Sequence, residues 1–490
     1  MCNLNQIESS KLKKLYGNNR SAADSFVNEY FANEEDFGQE MFVGATNQAK
    51  YTSQNCQDLF ISMGFRENFL SWKELDRVAY ENEEINNIGP SFYPTDFGAC
   101  CLFVPHLDFQ ASSQNLPEEK RYHDLLADAQ SGRMNGLQLL LDTEQFNYAH
   151  IPLTCGIGFK LALHHHLDKP MIQFSSQLIN AGTETQINIK PTISYTTKHA
   201  ISRLESEERD CYAQGEVNLT YLPYSSGYRY SLNNCIIDEL IMHILWECRC
   251  IPGFAEHWIV DTYRSSDVDD CIGEKLYCAN ARINSLDAKN ITFLRTGQNP
   301  EKIGNISKPA DIKCRPSCKD QENENQMSTL LYPQKRNFFY RKSFCYVASH
   351  ILQITCKDNN RRHFLSLEYP DLCRTLQFFE TYFDNTSTCD HWPENFLNKH
   401  NNSPNQTLMK EILKYGRENL ALVRIMIQSP YATKIKRDLA MTTTSYVANT
   451  GGLLGLCLGF SFISGIEMLF WICCSCREVL RNVRKSNSEI

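Results

Sequence analysis

The feature that most constrains this chain is a long, nearly uncharged segment close to its C-terminus. Residues 451–474 number 24 and carry a single charge, that of Glu467. An α-helix rises about 1.5 Å per residue, so this segment reaches roughly 36 Å, whereas a bilayer's hydrocarbon core is about 30 Å thick. The segment therefore predicts one transmembrane helix over residues 451–474.

Small residues and one carboxylate limit what this predicted helix can do. Gly451, Gly455 and Gly459 are four residues apart, a spacing that lets membrane helices approach closely. Glu467, inside an apolar span, is expected to face a helix bundle or water. The pattern fits a single-pass receptor or adhesion glycoprotein whose helices pair through the glycines, and it also fits a helix that lines a polar path.

Cysteines and glycosylation triplets indicate that most of the chain lies outside the cell. Seventeen of the 21 cysteines precede residue 451. All seven Asn-x-Ser/Thr triplets also precede it, beginning at Asn19, Asn218, Asn290, Asn305, Asn385, Asn401 and Asn405. Disulfides and N-glycans both form in the secretory pathway. We therefore expect residues 1–450 to form a cysteine-rich extracellular domain.

The residues after the predicted helix fit a cytoplasmic tail at the plasma membrane. Residues 475–490 contain Arg477, Arg481, Arg484 and Lys485 against only two glutamates, and such a basic excess marks the cytosolic side. The whole chain has a net charge of −8, which argues against a nucleic-acid partner. The expected partner is the lipid bilayer.

The first residues do not explain how such a domain would be translocated. Residues 1–11 are mixed and polar and contain no apolar signal-peptide core. Two explanations stay open. Either residues 1–450 are cytosolic and the protein is tail-anchored, or the chain lacks its natural beginning, which the cysteines and the triplets favour.

Local patterns predict an α+β fold for the extracellular part. Ile237, Leu240, Ile241 and Ile244 form one apolar face of a helix over residues 235–246. Further helices are expected at 21–31 and 406–418, and strands at 99–104, 137–142, 158–164, 193–204 and 420–427. Residues 332–405 are polar with interspersed aromatic residues, and no clear element emerges there.

The cysteines of the middle region carry a family resemblance. They stand at positions 211, 235, 248, 250, 271, 278, 314 and 318. This spacing resembles the ectodomain of the degenerin/epithelial sodium channel family, and the arthropod pickpocket branch in particular. Residues 1–5, 98–103 and 455–467 are similar to the family's first palm strand, its Gly-x-Cys-Tyr-Thr-Phe segment and its pore helix. By this resemblance the chain lacks the family's intracellular N-terminus and first membrane helix.

The resemblance implies both a fold and a set of disulfides. The fold is a disulfide-rich domain with a β-sheet palm and a helical thumb, followed by one transmembrane helix. The implied bridges are Cys2–Cys100, Cys211–Cys318, Cys235–Cys314, Cys248–Cys278 and Cys250–Cys271. Cys56, Cys101 and Cys155 stay unassigned. Residues 332–405 are longer than usual for the family, either as a specificity element or as a mis-predicted exon, and their four cysteines (Cys345, Cys356, Cys373 and Cys389) could close on themselves.

The resemblance also implies a function and the residues that perform it. Gly459, Phe460 and Ser461 would form the narrowest point of three symmetry-related helices, where carbonyl and hydroxyl oxygens replace part of a sodium ion's hydration shell. Glu467 would attract cations below, and Ala448 and Asn449 would lie at the gated outer mouth. The chain is then expected to be a subunit of a trimeric, amiloride-sensitive sodium channel, assembled with related subunits and needing no cofactor beyond the permeant ion. A truncated, non-conducting modulatory form is the alternative within the family.

Other chemistry has weaker support in the sequence. Cys248, Cys250, Cys314 and Cys318 could in principle bind zinc, but the spacing and the compartment favour disulfides. His164, His165 and His166 suggest a metal cluster, although neighbouring side chains on a strand point to opposite faces, so a solvated loop is expected. No catalytic motif stands out, and we do not expect an enzyme. The cysteines Cys473, Cys474 and Cys476 are either palmitoylated or simply reduced.

Overall fold

The computed structural model divides the chain into two compact units, residues 1–195 with 210–435 and residues 196–209 with 436–490. It describes residues 1–4, 7–17, 19–30, 55–65, 68–71, 91–102, 136–149, 156–165, 167–266, 268–284, 302–303, 305–309, 313–335, 337–383, 389, 391–399, 405–429, 431–459 and 461–486. Within these ranges both helices and strands are abundant, which confirms the expected α+β class.

The strands are short except for one long ribbon. In chain order they are β1 Cys2–Asn3, β2 Phe60–Phe65, β3 Asn68–Ser71, β4 Ser91–Thr95, β5 Gly98–Leu102, β6 Leu137–Asp142, β7 Gly158–Leu161, β8 Gln177–Asn180, β9 Thr183–Thr196, β10 Cys250–Ile251, β11 Asp269–Asp270, β12 Lys302–Ile303, β13 Ile306–Ser307, β14 Lys319–Leu331, β15 Leu420–Ile427 and β16 Thr433–Arg437. The ribbon consists of β9 and β14, which pair antiparallel along the whole length of β14.

The main sheet has the order β14-β9-β15-β6-β2-β3, and β16 also pairs with β9. Its centre is formed by β6 and β15, which pair antiparallel from Leu137–Ile425 to Asp142–Leu420. Both strands are nearly continuous apolar runs, as expected for strands that are covered on both faces. A smaller sheet has the order β1-β7-β8. The sequence correctly predicted β6 and β15, and it predicted β5 and β7 with ends two or three residues too late.

The described residues also form α-helices. They are α1 Ser9–Tyr16, α2 Arg20–Tyr30, α3 Cys56–Leu59, α4 Ile172–Ser175, α5 Lys198–Arg203, α6 Ser206–Arg209, α7 Leu232–His243, α8 His257–Arg264, α9 Glu274–Asn284, α10 Lys342–His350, α11 Asn359–Glu368, α12 Leu372–Phe378, α13 Glu380–Phe383, α14 Glu394–Lys399, α15 Gln406–Asn419, α16 Thr443–Leu458 and α17 Phe462–Ser486. The helix expected over 235–246 is α7 followed by a π-helical turn at Ile244–Cys248.

One expected strand is partly wrong. The β-rich run at 193–204 is extended only to Thr196, where β9 ends. The Thr197 side chain then accepts a hydrogen bond from the backbone N–H of Ala200 and begins helix α5. A threonine at the N-cap satisfies one of the free N–H groups of the first turn, so a local cap overrides the β-branched composition of the run.

The sequence leaves residues 332–405 without elements, and those of them that the structure describes are mainly helical. Helices α10–α14 and α15 form the largest hydrophobic cluster, which includes Phe339, Phe344 and Trp392 and also reaches Leu140 and Leu422 of the main sheet. The ring centroids of Phe344 and Trp392 lie 5.5 Å apart in a stacked arrangement. The segment therefore packs directly on the central strands.

A second hydrophobic cluster surrounds α7–α9. Trp246 is fully buried in it, and its indole N–H donates to the hydroxyl of Tyr221 at 3.1 Å. Asp238 of α7 accepts hydrogen bonds from the backbone N–H groups of Thr220, Tyr221 and Leu222. Burial raises the pKa of Asp238 to about 6. This carboxylate fixes the loop before the helix.

Eight disulfides hold these elements together. The five bridges that the family resemblance implies are all present in the structure: Cys2–Cys100, Cys211–Cys318, Cys235–Cys314, Cys248–Cys278 and Cys250–Cys271. Cys56 pairs with Cys101, and the cysteines of the helical segment close on themselves as Cys345–Cys389 and Cys356–Cys373. Cys155 lies outside the described residues. The zinc alternative is excluded, because its four sulfurs belong to four different bridges.

A buried ionic cluster joins four segments that are distant in the sequence. Arg361 Nη2 lies 2.6 Å from Asp58 Oδ2 and 3.6 Å from Glu8 Oε1, while Nη1 lies 3.3 Å from Glu144 Oε1. The side chains of Arg361, Glu8 and Glu144 are 7%, 1% and 2% exposed. The cluster fixes α11 against the start of α1 and the end of β6.

Candidate pore and gating site

The C-terminal apolar segment forms two helices instead of the single helix expected over 451–474. Among the described residues no single helix is both long and apolar enough to cross a membrane. Helices α16 and α17 are long and apolar enough only when they are taken together, over Thr444–Cys457 and Phe462–Arg481. A bend of 88° separates the two helices. The segment is therefore broken at residues 459–461.

Gly459 and Ser461 explain where the break falls. Gly459 has a φ of +64° and ends α16, and its N–H donates to the carbonyl of Leu454. This left-handed conformation favours glycine and is a common helix end. Ser461 begins α17: its Oγ accepts from the N–H of Ser464 at 3.2 Å. Phe460, between them, lies outside the described residues.

A helix break in an apolar segment exposes oxygen atoms that a continuous helix would use internally. The last carbonyl groups of α16 lack helical partners because the next turn is missing. The Ser461 hydroxyl lies on the same three-residue break, 3.1 Å from the hydroxyl of Ser464. Neutral oxygens of this kind are suitable ligands for a hard monovalent cation. The break also takes Gly459 out of the helical row, so of the three glycines spaced four residues apart only Gly451 and Gly455 lie on α16.

The other residues expected at the pore lie on these two helices. Ala448 and Asn449 are exposed on α16, whose first turn is capped by Thr442 accepting from the N–H of Ser445 at 3.1 Å. Glu467 is exposed on α17, six residues after Ser461. A helical rise of about 1.5 Å per residue separates Glu467 from Ser461 by roughly 9 Å along the axis. The carboxylate is thus about two turns from the break.

Sequence reasoning missed a hydrogen-bonded contact that precedes α16 in the second unit. Thr197 Oγ1 lies 2.7 Å from Asp438 Oδ1, and the Thr197 N–H donates to the carbonyl of Arg437 at 3.0 Å. Hydrogen bonds from Lys436, from Thr197 and from the Leu439 N–H lower the pKa of Asp438 to about 2. Its carboxylate is therefore ionised at neutral pH. The N-capping preference of threonine was the one local signal for this contact.

Replacing Thr197 by valine tests the double role of its hydroxyl. The hydroxyl donates to Asp438 and accepts from Ala200, so Thr197→Val removes both bonds while keeping the side-chain shape. Loss of an N-cap costs about 1 kcal/mol, which corresponds to roughly five-fold faster amide exchange at Ala200 if exchange follows local opening. Hydrogen exchange followed by mass spectrometry measures this, and Thr197→Ser serves as the control. Equal exchange in both variants would contradict the assigned role.

The structure describes some of the expected glycosylation sites and some of the histidines suggested as metal ligands. Asn19, Asn218 and Asn305 are exposed, whereas Asn405 is half-buried and caps α15 by accepting from the Leu408 N–H. Asn290, Asn385 and Asn401 lie outside the described residues.

The histidine run does not form a metal cluster among the described residues. Nδ1 of His164 lies 2.9 Å from the carbonyl of His165, and Nδ1 of His165 accepts from the Leu167 N–H. These rings therefore contact their own backbone, and His166 lies outside the described residues.

Comparison with known proteins agrees with the disulfide pattern. A model of the amiloride-sensitive sodium channel family matches residues 1–471. Pickpocket protein 28 of Drosophila melanogaster is 22% identical over 365 residues, which cover 74% of this chain and 44% of that relative. The chain thus matches less than half the length of the relative.

The family match extends over nearly the whole chain and includes all of the larger unit and most of the smaller one. The family is one of ion channels and not of enzymes, which confirms that no catalytic site is to be expected. The five bridges implied by the family resemblance are present as well. The chain therefore belongs to the amiloride-sensitive sodium channel family, also called the degenerin/epithelial sodium channel family, and is pickpocket-like.

Proposed function

We propose that this chain is a subunit of a trimeric, amiloride-sensitive sodium channel in which the extracellular domain gates a pore at Gly459, Phe460 and Ser461. The observation that carries the proposal is the break between α16 and α17, which falls at the Gly-x-Ser triplet expected to form the filter. A continuous helix would instead bond the backbone carbonyl groups at this triplet internally.

Ion selection at this break would depend on oxygen ligands and shape. Three copies of the triplet would surround the axis, and their carbonyl and Ser461 hydroxyl oxygens would replace part of the hydration shell of a sodium ion. Gly459 has no side chain, and a Cβ built there meets no atom of its own chain within 4 Å. Three copies could thus approach one another closely. Glu467 would raise the local cation concentration beyond the filter.

The proposed topology places the protein in the plasma membrane with residues 1–450 outside and residues 475–490 in the cytosol. The eight disulfides support an oxidising compartment for the large unit. Arg477 and Arg481 follow the apolar part of α17 and support a cytosolic end. The bent pair of α16 and α17 would cross the bilayer in place of one straight helix. Residues 332–405 would be a family-atypical insertion beside the β-sheet palm and the helical thumb.

Movement of the extracellular domain would reach the pore along the backbone that leads into α16. Strand β15 lies in the centre of the main sheet between β9 and β6. The chain continues from β15 through β16 to α16, which carries Ala448 and Asn449. A displacement of β15 would therefore be transmitted over few residues. At the outer mouth, a small residue such as Ala448 would allow the helices to close.

Voltage clamp of cells that co-express this chain with related subunits tests the proposal. We expect a sodium current that amiloride blocks, and Ala448→Val should raise the resting leak because a larger side chain prevents closure. Ala448→Ser keeps the small volume and is the matched control. A conducting complex in which Ala448→Val has no effect would count against the gating assignment.

The same recordings separate the alternatives. Replacing Glu467 by glutamine should lower single-channel conductance if this chain lines the pore. If co-expression changes the current of the related subunits but Glu467→Gln does not alter conductance, the chain is a modulatory subunit. If the chain reaches the surface and no amiloride-blocked current depends on it, a receptor or adhesion role replaces the channel proposal. Removal of N-glycans, followed as a gel shift, shows whether residues 1–450 are extracellular.

A further inference from the structure

The cysteines of the described residues fall into two groups along the chain. Sixteen of them form eight disulfides, and the last of these cysteines is Cys389. The cysteines beyond it, Cys457, Cys473, Cys474 and Cys476, are unpaired and exposed. In an oxidising compartment exposed thiols at neighbouring positions tend to oxidise. The change from paired to unpaired cysteines therefore supports a reducing environment at the end of α17.

Three of these thiols lie where the apolar part of α17 meets its basic part. Cys473, Cys474 and Cys476 follow a run of apolar residues from Phe462 to Ile472 that is interrupted only by Ser464, Gly465 and Glu467. Arg477 and Arg481 come directly after them. At about 1.5 Å per residue Cys473 lies roughly 17 Å, and Cys476 roughly 21 Å, from Phe462 along the helix. Half of a hydrocarbon core is about 15 Å, so a break at mid-membrane puts the thiols at the inner boundary.

The geometry of an α-helix also directs these side chains. Each Cα–Cβ bond tilts toward the N-terminus of its helix. The thiols of Cys473 and Cys476 therefore lean back toward the apolar run and away from the arginines. A long hydrocarbon chain attached there would extend along Phe470, Leu469 and Ile466, which are exposed to 63%, 64% and 52%. The surface that would receive the chain is thus apolar and uncovered in the single subunit.

We propose that Cys473, Cys474 and Cys476 form an S-acylation site that takes a long-chain fatty acyl group. In the reaction a cysteine thiolate attacks the carbonyl carbon of an acyl-coenzyme A. A new thioester bond forms, the bond to the coenzyme A sulfur breaks, and that sulfur takes up the proton the cysteine released. No oxidation or reduction is involved. The proposal rests on the topology given under the proposed function, because acyl-coenzyme A is cytosolic.

An acyl chain at this position would add a second anchor to α17. A single acyl group binds membranes only weakly by itself, but it adds to the affinity of a segment that already lies in the bilayer. It would hold the end of α17 at the inner boundary, next to the basic residues. The expected consequence is a fixed depth for the helix that carries Glu467.

The test uses the full chain, expressed in insect cells and labelled with an alkyne analogue of palmitate. After click attachment of a dye, hydroxylamine should release the label, since thioesters are cleaved and amides are not. Replacing all three cysteines (Cys473→Ser, Cys474→Ser and Cys476→Ser) should reduce the label to background. Cys457→Ser is the matched control, because that exposed thiol lies on α16, before the break. It should keep the full label.

The outcomes separate this inference from the proposed function. Glycosidase treatment of the same samples shows whether the large domain has been translocated. A glycosylated chain without hydroxylamine-sensitive label overturns the acylation site and leaves the channel proposal intact. A label that survives the triple replacement, or that is lost in Cys457→Ser, also overturns the site. A chain that carries neither glycan nor label overturns both the topology and the site.

Discussion

Replacing Arg361 by methionine is expected to destabilise the large unit by about 3 kcal/mol, because removing one partner of a buried ion pair leaves the other charges uncompensated. Arg361 is the common partner of Glu8, Asp58 and Glu144 in the buried cluster. Methionine is shorter than arginine but keeps an unbranched apolar stem, so the packing around that stem changes little. The guanidinium is shared by all three of these ion pairs, whereas Lys11 Nζ lies 3.4 Å from Glu8 Oε2 and donates to Asn55 Oδ1.

The neighbouring residue of α11 provides a matched control. Arg362 is exposed, and Arg362→Met removes the same charge from the same helix without touching the cluster. Thermal unfolding of the full chain in detergent can be followed by tryptophan fluorescence, because Trp246 and Trp392 are buried at 0% and 6% exposure. We expect a clear decrease in melting temperature for Arg361→Met and almost none for Arg362→Met. Equal melting temperatures would contradict the importance of the cluster.

The loss of folding stability caused by Arg361→Met should also depend on pH. Burial raises the pKa of Glu144 well above its usual range, and Arg361 opposes this rise. Without Arg361 the pKa rises further, so the folded variant binds more protons than its unfolded chain. Stability from a raised pKa is fully present below the unfolded value, near 4.3, and is lost as pH rises through the folded value. The difference from the wild type should thus be smaller at pH 5 than at pH 7.5, and a constant difference would refute this account.

Two further groups near the cluster also respond to Arg361, whose charge lowers the pKa of both Asp142 and His350. Burial raises the pKa of Asp142 to about 6, so its contribution is lost as pH rises through that value. Burial lowers the pKa of His350 to about 4, so its contribution is present above the unfolded value near 6.5 and is lost as pH falls toward 4. Without Arg361 the pKa of Asp142 rises further, and the pKa of His350 returns toward its usual value. Both changes favour the variant at low pH, so they add to the expected decrease of the stability difference at pH 5.

The parts of the fold that the sequence predicted are those with a local cause. Strands β6 and β15 are short apolar runs, and helix α15 has a regular apolar face, so the pattern alone is sufficient. Strand β14 was missed because its residues, Lys319–Leu331, are mostly polar and exposed. Its stability comes from pairing with β9 over 13 residues, which no local pattern shows. The buried cluster around Arg361 was missed for the same reason.

At the candidate site, too, one sequence pattern was not sufficient to predict the structure. Family resemblance supplied Gly459 and Ser461 as filter residues, while hydropathy predicted a continuous helix through them. The capping preferences of glycine at a helix end and serine at a helix start indicate a break there, and the structure has one. Hydropathy measures the cost of transfer into lipid and contains no information on backbone conformation. Local capping chemistry therefore had to be weighed together with hydropathy.

Replacing Gly158 by alanine is the second change for which we expect a large effect, also about 3 kcal/mol. Gly158 begins β7 with a φ of +141°, a conformation that alanine rarely adopts. A Cβ at this position would lie 2.1 Å from the carbonyl oxygen of Ile179 on β8. Backbone strain costs roughly 1–2 kcal/mol, and forced displacement of a packed neighbour adds a similar amount.

Replacing Gly215 by alanine separates the cost of backbone strain from the cost of displacing a packed neighbour. Gly215 also has a positive φ, +84°, but a Cβ there meets no atom within 4 Å. Gly215→Ala should therefore cost only the strain, about 1 kcal/mol. The Leu4 N–H donates to the carbonyl of Gly158 at 3.0 Å and ties β1, with the Cys2–Cys100 bridge, to this sheet. Hydrogen exchange at Leu4 should accelerate in Gly158→Ala and stay unchanged in Gly215→Ala. If both variants melt at the same temperature and protect Leu4 equally, the close approach of β7 and β8 does not determine the stability of this sheet.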